Sequence, residues 1–380
     1  MLTALERSNE LVSNAHLYRL LTPAGVAQFC RGMEPDPASG TCLDDNVRAW
    51  LVAAAALRDD PSDVGARAVG DVAADFVVAA RRPDGRFRNM ADCKRRFLED
   101  FGSDAAFGRT MWACGVIARC SSVAAWRAVA LDVLIASLPA TGAIRSLNGR
   151  AYLALGLAAA LASDGVVAGL EPCAPPLQPA LARLVEHALY KTCRRLHEEF
   201  RAAAVPDWMW WKPRLTWGNA RMPQAMLAGG VVLKDDRFLK TGWRALEFLD
   251  AVSTIDGVFV PIGNEGWYAR GGVRAIYDQQ PIEACCMVDA WMTAYRITGH
   301  PAHRHKASVA RSWFDGNNTE GIAVAIPSTG ACYDGLRRGA VNVNAGAEST
   351  LSYISAAYAL RKDDIGGQHR HRAGRWRARG

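Results

Sequence analysis

Acidic side chains stand at the beginning of several predicted helices, where helix capping and acid–base chemistry both favour them. Asp44 and Asp45 open one apolar helix. Glu283 lies in the first turn of a second, and Glu348 begins a third. Such residues cap free backbone N–H groups, but two carboxyl groups facing one sugar bond are also the usual equipment for glycoside hydrolysis. We treat all four as candidate catalytic residues, with capping as the alternative interpretation.

The segment 207–221 combines tryptophans with polar donors in a pattern that suits a sugar ligand. Four tryptophans fall within ten residues of this segment, which is dense for a routine loop. Sugar rings present flat C–H faces that pack on aromatic rings, while amide and guanidinium groups donate to hydroxyl groups. The alternative is core packing, although tryptophan is seldom fully buried. The ligand contacts that we predict here are Trp210, Trp211, Asn219 and Arg221.

Four long connections carry further polar and aromatic residues, at roughly 83–104, 205–219, 255–279 and 316–345. Loops of this length in a compact domain are usually functional. Turns and helix caps are the alternative interpretation for many of their polar residues. The remaining predicted substrate-binding residues lie in these connections or near the helix starts beside them: Arg48, Arg88, Asp104, Asn264, Trp267, Asp278, Gln279, Gln280, Tyr333, Asp334 and Asn344.

Apolar residues recur at spacings of three and four along most of the chain, which predicts helices, whereas strand signals are scarce. Twelve helices would form six hairpins, the number that a closed (α/α)6 toroid needs. Two of these helices begin with an Asn that is followed two residues later by an Arg, at Asn46 and Asn219. Duplication of a hairpin would explain this repeat, and so would chance. The predicted helices cover 3–13, 44–58, 64–81, 106–120, 122–137, 147–163, 177–204, 220–232, 236–254, 280–298, 301–315 and 346–361.

Composition narrows the class of protein. Of 380 residues, 50% are hydrophobic and 22% charged, as in a soluble globular chain. The longest apolar run, 151–162, is shorter than the ~20 residues of a membrane span, and residues 1–14 lack a signal-peptide pattern. We therefore expect a cytoplasmic protein without membrane contact.

The net charge of +7 is concentrated at the carboxyl end. From Arg361 onward there are seven Lys or Arg and two Asp, so residues 1–360 are nearly neutral, which argues against nucleic-acid binding. We expect one toroid domain over 1–362. Residues 363–380 would form a basic, disordered tail, with contact to RNA or acidic lipid as the alternative.

Cysteine and histidine spacing gives no sign of a metal or a cofactor. The ten cysteines include no C-x-x-C pair, and most lie in apolar helical patterns, which favours buried thiols in a reducing compartment. His300, His303 and His305 flank a predicted helix–helix turn rather than a metal site. No phosphate-binding loop, nucleophile elbow or dinucleotide fingerprint is present. We predict neither a metal nor a cofactor.

Ten short stretches, in order along residues 16–361, resemble the six-hairpin glycosidase-like domain often found beside or fused to bacterial retaining glycosyltransferases. The resemblance implies an (α/α)6 fold, a carbohydrate substrate and a glycosyltransferase as a partner. No nucleotide-sugar-binding domain accompanies it, so glycosyl transfer itself is not carried over. The stretches are HL (16–17), LDDNVR (43–48), DGRFRN (84–89), GSD (102–104), NARMPQ (219–224), IGN (262–264), DQQPIEA (278–284), WF (313–314), CYDG (332–335) and NAGAEST (344–350).

Two departures from that family pattern bear on activity. Acidic residues are expected where this chain has Lys212 and Gly218. Our leading hypothesis is a glycoside hydrolase acting on a bacterial oligosaccharide or polysaccharide. One of Glu283 and Glu348 would be the general acid, and the Asp pair that opens the first of these helices would supply the base.

Three other functions remain open. A non-catalytic glycan-binding or scaffolding partner of a glycosyltransferase is favoured by the two departures. A sugar epimerase or isomerase would need paired His bases in the funnel, and the chain offers few candidates outside its tail. An isoprenoid cyclase would need a richer Asp motif than Asp44–Asp45. The histidines that could serve as bases in an epimerase or isomerase are His16, His187, His197 and those of the 300–305 turn.

Overall fold

The structure, a computed structural model, describes residues 12–361. Within this range the chain forms twelve α-helices. They are α1 (Ala15–Leu20), α2 (Leu43–Asp59), α3 (Val64–Ala80), α4 (Asp104–Cys120), α5 (Ala124–Ser137), α6 (Leu147–Leu161), α7 (Pro179–Ala203), α8 (Arg221–Leu233), α9 (Asp236–Ser253), α10 (Pro281–Thr298), α11 (Pro301–Ser312) and α12 (Ala347–Arg361).

Short strands, paired antiparallel in twos, occupy the connections. The pairs are β1 (Leu21–Thr22) with β2 (Gly25–Val26), β3 (Phe29–Arg31) with β4 (Glu34–Asp36), β5 (Thr41–Cys42) with β6 (Met90–Ala91), β7 (Arg214–Leu215) with β10 (Tyr268–Ala269), β8 (Thr254–Ile255) with β9 (Val258–Phe259), β11 (Ala325–Ile326) with β12 (Ala331–Cys332), and β13 (Gly335–Arg337) with β14 (Ala340–Asn342).

The helices build two concentric rings. Helices α2, α4, α6, α8, α10 and α12 each contact the next in this order, and α12 returns to α2, which closes the inner ring. Helices α3, α5, α7, α9 and α11 each pack on the inner helix that precedes them, and α1 packs on α12. The protein is therefore an (α/α)6 toroid, and the predicted fold class is confirmed.

The first helical pair differs from the prediction. Most of the predicted helix 3–13 lies outside the described residues, as does the predicted tail 363–380, and Val12 and Ser13 are not helical. The short helix α1, which the sequence did not predict, completes the sixth pair instead. The other eleven predicted helices are present with ends shifted by up to three residues.

Burial explains which helices form which ring. In α6 every residue from 149 to 160 is buried, as expected for a helix that is apolar on all sides. The outer helix α7 buries one stripe spaced by three and four residues, and its other faces are polar. This stripe comprises Val185, Leu189, Thr192, Cys193, Leu196 and Phe200.

Glycines bring α4 and α6 into direct backbone contact. A Cβ atom on Gly115 would collide with the Gly156 carbonyl, and one on Gly108 would collide with the Gly149 carbonyl. Only glycine permits this approach, because any side chain would push the helices apart. One consequence is that the Arg109 guanidinium of α4 lies 4.8 Å from the ring centre of a tyrosine on α6.

Since each hairpin returns the chain, all six inner helices begin at the same end of the ring, which we call the mouth. The long connections that hold the strands cover this end. At the far end, the segment 162–178 crosses the ring. It is held by Arg119, which donates to the Ala162 carbonyl (3.1 Å), and by Arg58, which donates to the Glu171 carbonyl.

One stretch, Ala124–Ala143, is long and apolar enough by composition to cross a membrane. It comprises α5 and the 3-10 turn Leu138–Ala143 that follows. In the structure α5 belongs to the outer ring and packs on α4. Ala124–Ala143 is the one such stretch within residues 12–361, and one is weak evidence for a membrane span.

Candidate functional site at the mouth of the ring

Glu283 is a buried carboxyl group on the first turn of α10, where Pro281 suits the start of the helix. Its residue is only 6% exposed. One carboxyl oxygen accepts from the Gly218 N–H, and the other accepts from the side-chain amide of Asn219 (3.1 Å). Burial raises the pKa of Glu283 to about 7, because the neutral N–H donors offset only part of the cost of burying the charged carboxylate. A carboxyl group that keeps its proton near neutral pH suits a general acid.

Arg48 joins two further carboxylates at the mouth, one on α2 and one on α12. Its guanidinium lies 2.9 Å from Asp45 on the same helix and 2.9 Å from Glu348 on α12. Asp45 is buried, and burial raises its pKa to about 6, since Arg48 offsets only part of that effect. The side chain of Glu348 is 49% exposed. Of the three carboxylates, Glu348 is therefore the one that a ligand in the mouth can reach most easily.

Asp44 is held in its charged form. Its carboxylate lies 2.7 Å from the Arg109 guanidinium and accepts from the Asn89 side chain at 3.2 Å. Burial acts to raise the pKa of Asp44, but Arg109 and Arg48 together outweigh it and leave the pKa below its ordinary value. This carboxylate and this guanidinium neutralise each other, which leaves Asp44 little freedom to act as a base.

An aromatic wall completes the mouth. The Arg109 guanidinium lies between the rings of Tyr152 and Trp217, at 4.8 and 5.2 Å from their centres. Deeper in the ring, Arg221 lies 4.8 Å from the Trp112 ring centre and pairs with Asp289 at 2.7 Å. Of these residues, Arg221 was a predicted ligand contact, whereas Arg109, Tyr152, Trp112 and Asp289 were not. Arg109 and Trp112 are three residues apart on an otherwise apolar helix. This spacing is a sequence signal that could have identified them as site residues.

The repeated Asn-x-Arg pattern has a structural counterpart. Arg48 and Arg221 both stand near the start of inner helices, and each pairs with an acidic side chain. Their asparagines differ, because Asn46 donates to the Cys42 carbonyl (2.7 Å) while Asn219 donates to Glu283. Both arginines lie near the mouth, and their predicted contacts with substrate stay predictions.

The tryptophan prediction needs correction. Trp210 is 1% exposed and Trp211 is also buried, with its indole N–H donating to the Leu196 carbonyl at 2.7 Å. Both rings pack in the core against outer-ring helices, so neither can stack on a sugar. The tryptophan of this segment that does face the mouth is Trp217, which is 37% exposed.

Two other predicted ligand contacts have structural roles. Arg88 donates to the Ala79 carbonyl (3.0 Å) and stacks on Phe97, so it points back toward α3. Asp104 accepts from the backbone N–H groups of Arg145 (2.7 Å) and Ser146 (2.9 Å). It thereby ties the start of α4 to the residues just before α6, while Ser103 caps α4 itself.

The stretch before α10 divides between structural and open roles. Gln279 is fully buried between the indole of Trp313 (2.7 Å) and the Thr319 hydroxyl (2.8 Å), so its prediction as a ligand contact is wrong. Asp278 lies 3.4 Å from Arg337, and burial raises its pKa. The partly or fully exposed residues of this stretch stay predictions, namely Asn264, Trp267 and Gln280.

Hydrogen bonds hold the stretch before α12 in place. Asp334 accepts from the Gly346 N–H (3.0 Å), the Ser349 hydroxyl (2.5 Å) and the Asn344 side chain. Asn344 also accepts from the Cys30 N–H at 2.9 Å. These bonds fix the start of the helix that carries the exposed carboxylate. Asp334 and Asn344 are both half-buried, and their ligand contacts stay predictions. Tyr333 is half-buried and stays a prediction.

The two departures from the family pattern differ in their location. Lys212 is exposed in the connection before β7, and its carbonyl accepts from the Trp208 indole at 2.6 Å. Gly218 lies at the site, with φ +62° and its N–H donating to Glu283. This left-handed backbone conformation favours glycine over a residue with a side chain.

No group of three His, Cys, Asp or Glu side chains within residues 12–361 could hold a metal ion. Of the histidines in that range, His187 and His197 lie on α7 and the 300–305 group begins α11, all in the outer ring. His16 is buried, with Nε2 2.9 Å from the Ala345 carbonyl.

Comparison with known proteins places the fold. No family model matches the chain, and no curated protein matches it. Among solved structures it is similar to a cellobiose 2-epimerase from Bacillus thermoamylovorans (TM-score 0.68, 10% identity, 95% of this chain and 98% of that one). It is also similar to a D-mannose isomerase (TM-score 0.62, 13% identity, 95% of this chain and 96% of that one). A third similar structure is a GH76 α-mannanase from Bacteroides thetaiotaomicron (TM-score 0.55, 9% identity, 86% of this chain and 87% of that one). At such low identity these likenesses show the six-hairpin toroid fold alone.

Proposed function

We propose that this protein is a carbohydrate-active enzyme, and specifically a glycoside hydrolase acting on an oligosaccharide or polysaccharide. The observation that carries the proposal is Glu283, a buried carboxyl group with a pKa of about 7 at the mouth of the ring. The ionised form of Glu348 contributes to raising that pKa, so the two groups share one electrostatic environment. A proton donor beside an accessible carboxylate is the pair that glycosidic bond cleavage requires.

The roles follow from burial. Glu283 donates its proton to the oxygen of the leaving sugar. Glu348 takes a proton from the attacking water, and Arg48 holds its carboxylate in place at 2.9 Å. Asp45 positions that arginine. This proposal replaces the expectation that Asp44 or Asp45 is the base. Asp44 is paired with Arg109 and Asp45 is buried beside Arg48, whereas Glu348 is accessible.

The class of substrate is supported by the shared fold of sugar-processing enzymes and by the aromatic wall. Trp217 offers a partly exposed ring that can pack on the C–H face of a sugar. Linkage to a bacterial glycosyltransferase and a cytoplasmic location belong to this proposal as well. They rest on the resemblance and on the sequence composition given above.

The test is release of reducing sugar from a panel of mannans, cello-oligosaccharides and bacterial polysaccharides. We expect turnover by the natural protein and its loss in Glu283→Gln and Glu348→Gln proteins that retain the helical circular dichroism signal. Glu198→Gln on an outer helix is the control and keeps full activity. Turnover that survives both substitutions contradicts the assignment of the two residues.

A glycan-binding protein without catalysis is the second candidate. The observation that favours it is the saturation of both Glu283 oxygens by N–H groups of Gly218 and Asn219. It predicts calorimetric binding of an oligosaccharide without reducing-sugar release. Running the same incubations in D₂O also tests an epimerase, because epimerisation places deuterium on the sugar carbon without forming new reducing ends.

A further inference from the structure

Below the carboxylates, the axis of the ring is hollow. A cavity of about 110 Å³ lies between the inner helices and extends toward their carboxyl ends. We call it the axial chamber. Its lower wall is mostly apolar and comes from three inner helices and the segment that crosses the far end, through Val52, Ala55, Val116, Leu170, Leu351 and Ala359. Ser352, Ser355, Tyr358 and Arg296 also line the chamber. Most of this wall offers sugar hydroxyl groups no hydrogen-bond partner.

The upper end of the axial chamber is polar and meets the site. Arg48, Arg221, Gln224 and Asp289 line it there. Arg221 is only 3% exposed, and its Nη1 atom is shared by Gln224 and Asp289 at 2.7 Å each. The positive charge of Arg221 therefore lies at this level, where it favours a ligand oxygen over an apolar group.

The far end limits what the axial chamber can hold. Val167 and Leu170 form part of its floor, and they belong to the segment that Arg119 and Arg58 hold across the ring. A long chain therefore cannot pass through. An apolar cavity of about 150 Å³ is large enough to bind benzene, so a chamber of this volume suits a group of similar or slightly smaller size.

We propose that the axial chamber binds a compact apolar group, aryl or short alkyl, carried by the sugar ligand. The group enters from the mouth, and the oxygen that links it to the sugar lies at the polar upper end, beside Arg221 and Gln224. The attachment to a sugar rests on the proposed function. The capacity of the chamber for a compact apolar group does not, and it can be measured alone.

The first experiment measures that capacity with benzene. Methyl NMR spectra of the full chain are recorded during a benzene titration, and we expect saturable shifts of Val52, Val116 and Leu351. Filling the chamber with Ala55→Leu should weaken benzene binding by about tenfold or more. Ser355→Leu, on another wall, is the second variant in case the first is unstable.

The control for that experiment is Ala128→Leu, the same change at an exposed position of α5. It should bind benzene as the natural protein does. Absence of saturable binding overturns the proposal, as does equal binding by a folded chamber-filling variant. Neither result depends on glycosidase activity.

The second experiment tests whether the apolar group that the axial chamber binds is carried by a sugar. Phenyl and methyl mannosides of both anomers are compared by calorimetry, and the better phenyl mannoside should bind about tenfold more tightly than its methyl counterpart. Ala55→Leu should abolish that advantage and leave methyl mannoside binding unchanged. If benzene binds but the phenyl advantage is absent or survives Ala55→Leu, the link to a sugar ligand is refuted.

Discussion

The two sides of the mouth hold their carboxyl groups by different means. On the α8–α10 side, Glu283 is buried against backbone and amide N–H groups, which are neutral. On the α2–α4 side, Asp44 is buried against the guanidinium of Arg109. Burial alone raises both pKa values, yet the pKa of Glu283 rises to about 7 while that of Asp44 falls below its ordinary value. Here a full positive charge offsets desolvation, and neutral donors do not.

Asp45 lies between these extremes and shows why the number of partners matters. It shares one guanidinium, that of Arg48, with Glu348. Burial and the second carboxylate together outweigh Arg48, and its pKa rises to about 6. Glu283 and Asp45 can therefore keep a proton at mildly acidic to neutral pH, whereas Asp44 stays charged. Four predictions, made with three substitutions at the mouth, test this comparison.

The largest expected effect is on catalysis. Glu283→Gln should lower kcat by about 10²–10⁴-fold, the usual contribution of general acid–base catalysis. Because the acid form of Glu283 is lost as pH rises through about 7, activity of the natural protein should fall above that pH. Steady-state kinetics from pH 5 to 9 check both statements. A profile that keeps its alkaline limb in the variant shows that another group supplies the proton.

A large effect on folding is expected on the other side. Asp44→Asn removes the carboxylate that neutralises the buried Arg109, and it should lower the free energy of unfolding by about 3–5 kcal/mol. Urea denaturation at pH 7 measures the change. The matched control is Glu198→Gln, which breaks an exposed pair with Arg194 (3.8 Å) and should be close to neutral. Equal losses of unfolding free energy in Asp44→Asn and Glu198→Gln would show that the buried Asp44–Arg109 pair stabilises the fold no more than an exposed pair does.

A smaller effect concerns stability against pH. The raised pKa of Glu283 means that the folded state favours its neutral form, so its penalty grows as pH rises from the unfolded value near 4.5 to about 7. Glu283→Gln should therefore be more stable than the natural protein at pH 8, by about 1–3 kcal/mol. The two proteins should converge near pH 4.5. Urea titrations at both pH values measure this, and a variant that is less stable at pH 8 contradicts it.

The smallest effect concerns the aromatic wall. Trp217→Ala should weaken binding of an oligosaccharide by about two- to tenfold, because a partly exposed ring contributes roughly 0.5–1.5 kcal/mol of stacking. Tyr190→Ala is the control, since its side chain is equally exposed, at 37%, but lies on an outer helix. Calorimetry with the best ligand of the panel compares them. Equal affinities for the two variants would remove Trp217 from the site.

The fold was largely predictable because its signal is local. Apolar residues at spacings of three and four predicted twelve helices and hence six hairpins, and eleven of the twelve are present. Helix α1 escaped prediction, since six residues are too few for periodicity to show. The carboxylates at helix starts were predictable in the same way, because parallel inner helices bring their first turns to one end of the ring.

The roles of individual side chains were not predictable from such patterns. Trp210 and Trp217 stand seven positions apart in one loop, yet one lies in the core and the other in the mouth. Gln279 is polar and lies at a helix start, yet it is enclosed by Trp313 and Thr319. Their environments are set by outer-ring helices and loops that are distant in sequence, and loop residues carry no periodicity that reveals which way they face.

The sequence by itself determined a closed ring of helical hairpins with Asp44, Asp45, Glu283 and Glu348 near one end, because helix periodicity and helix starts are encoded within a few residues. Only the tertiary structure decided what each carboxyl group does. Arg48 reaches Glu348 across 300 residues of sequence, and the axial chamber exists only where six helices meet. Burial and charge pairing, which set the pKa values, are properties of the closed ring and not of any one helix.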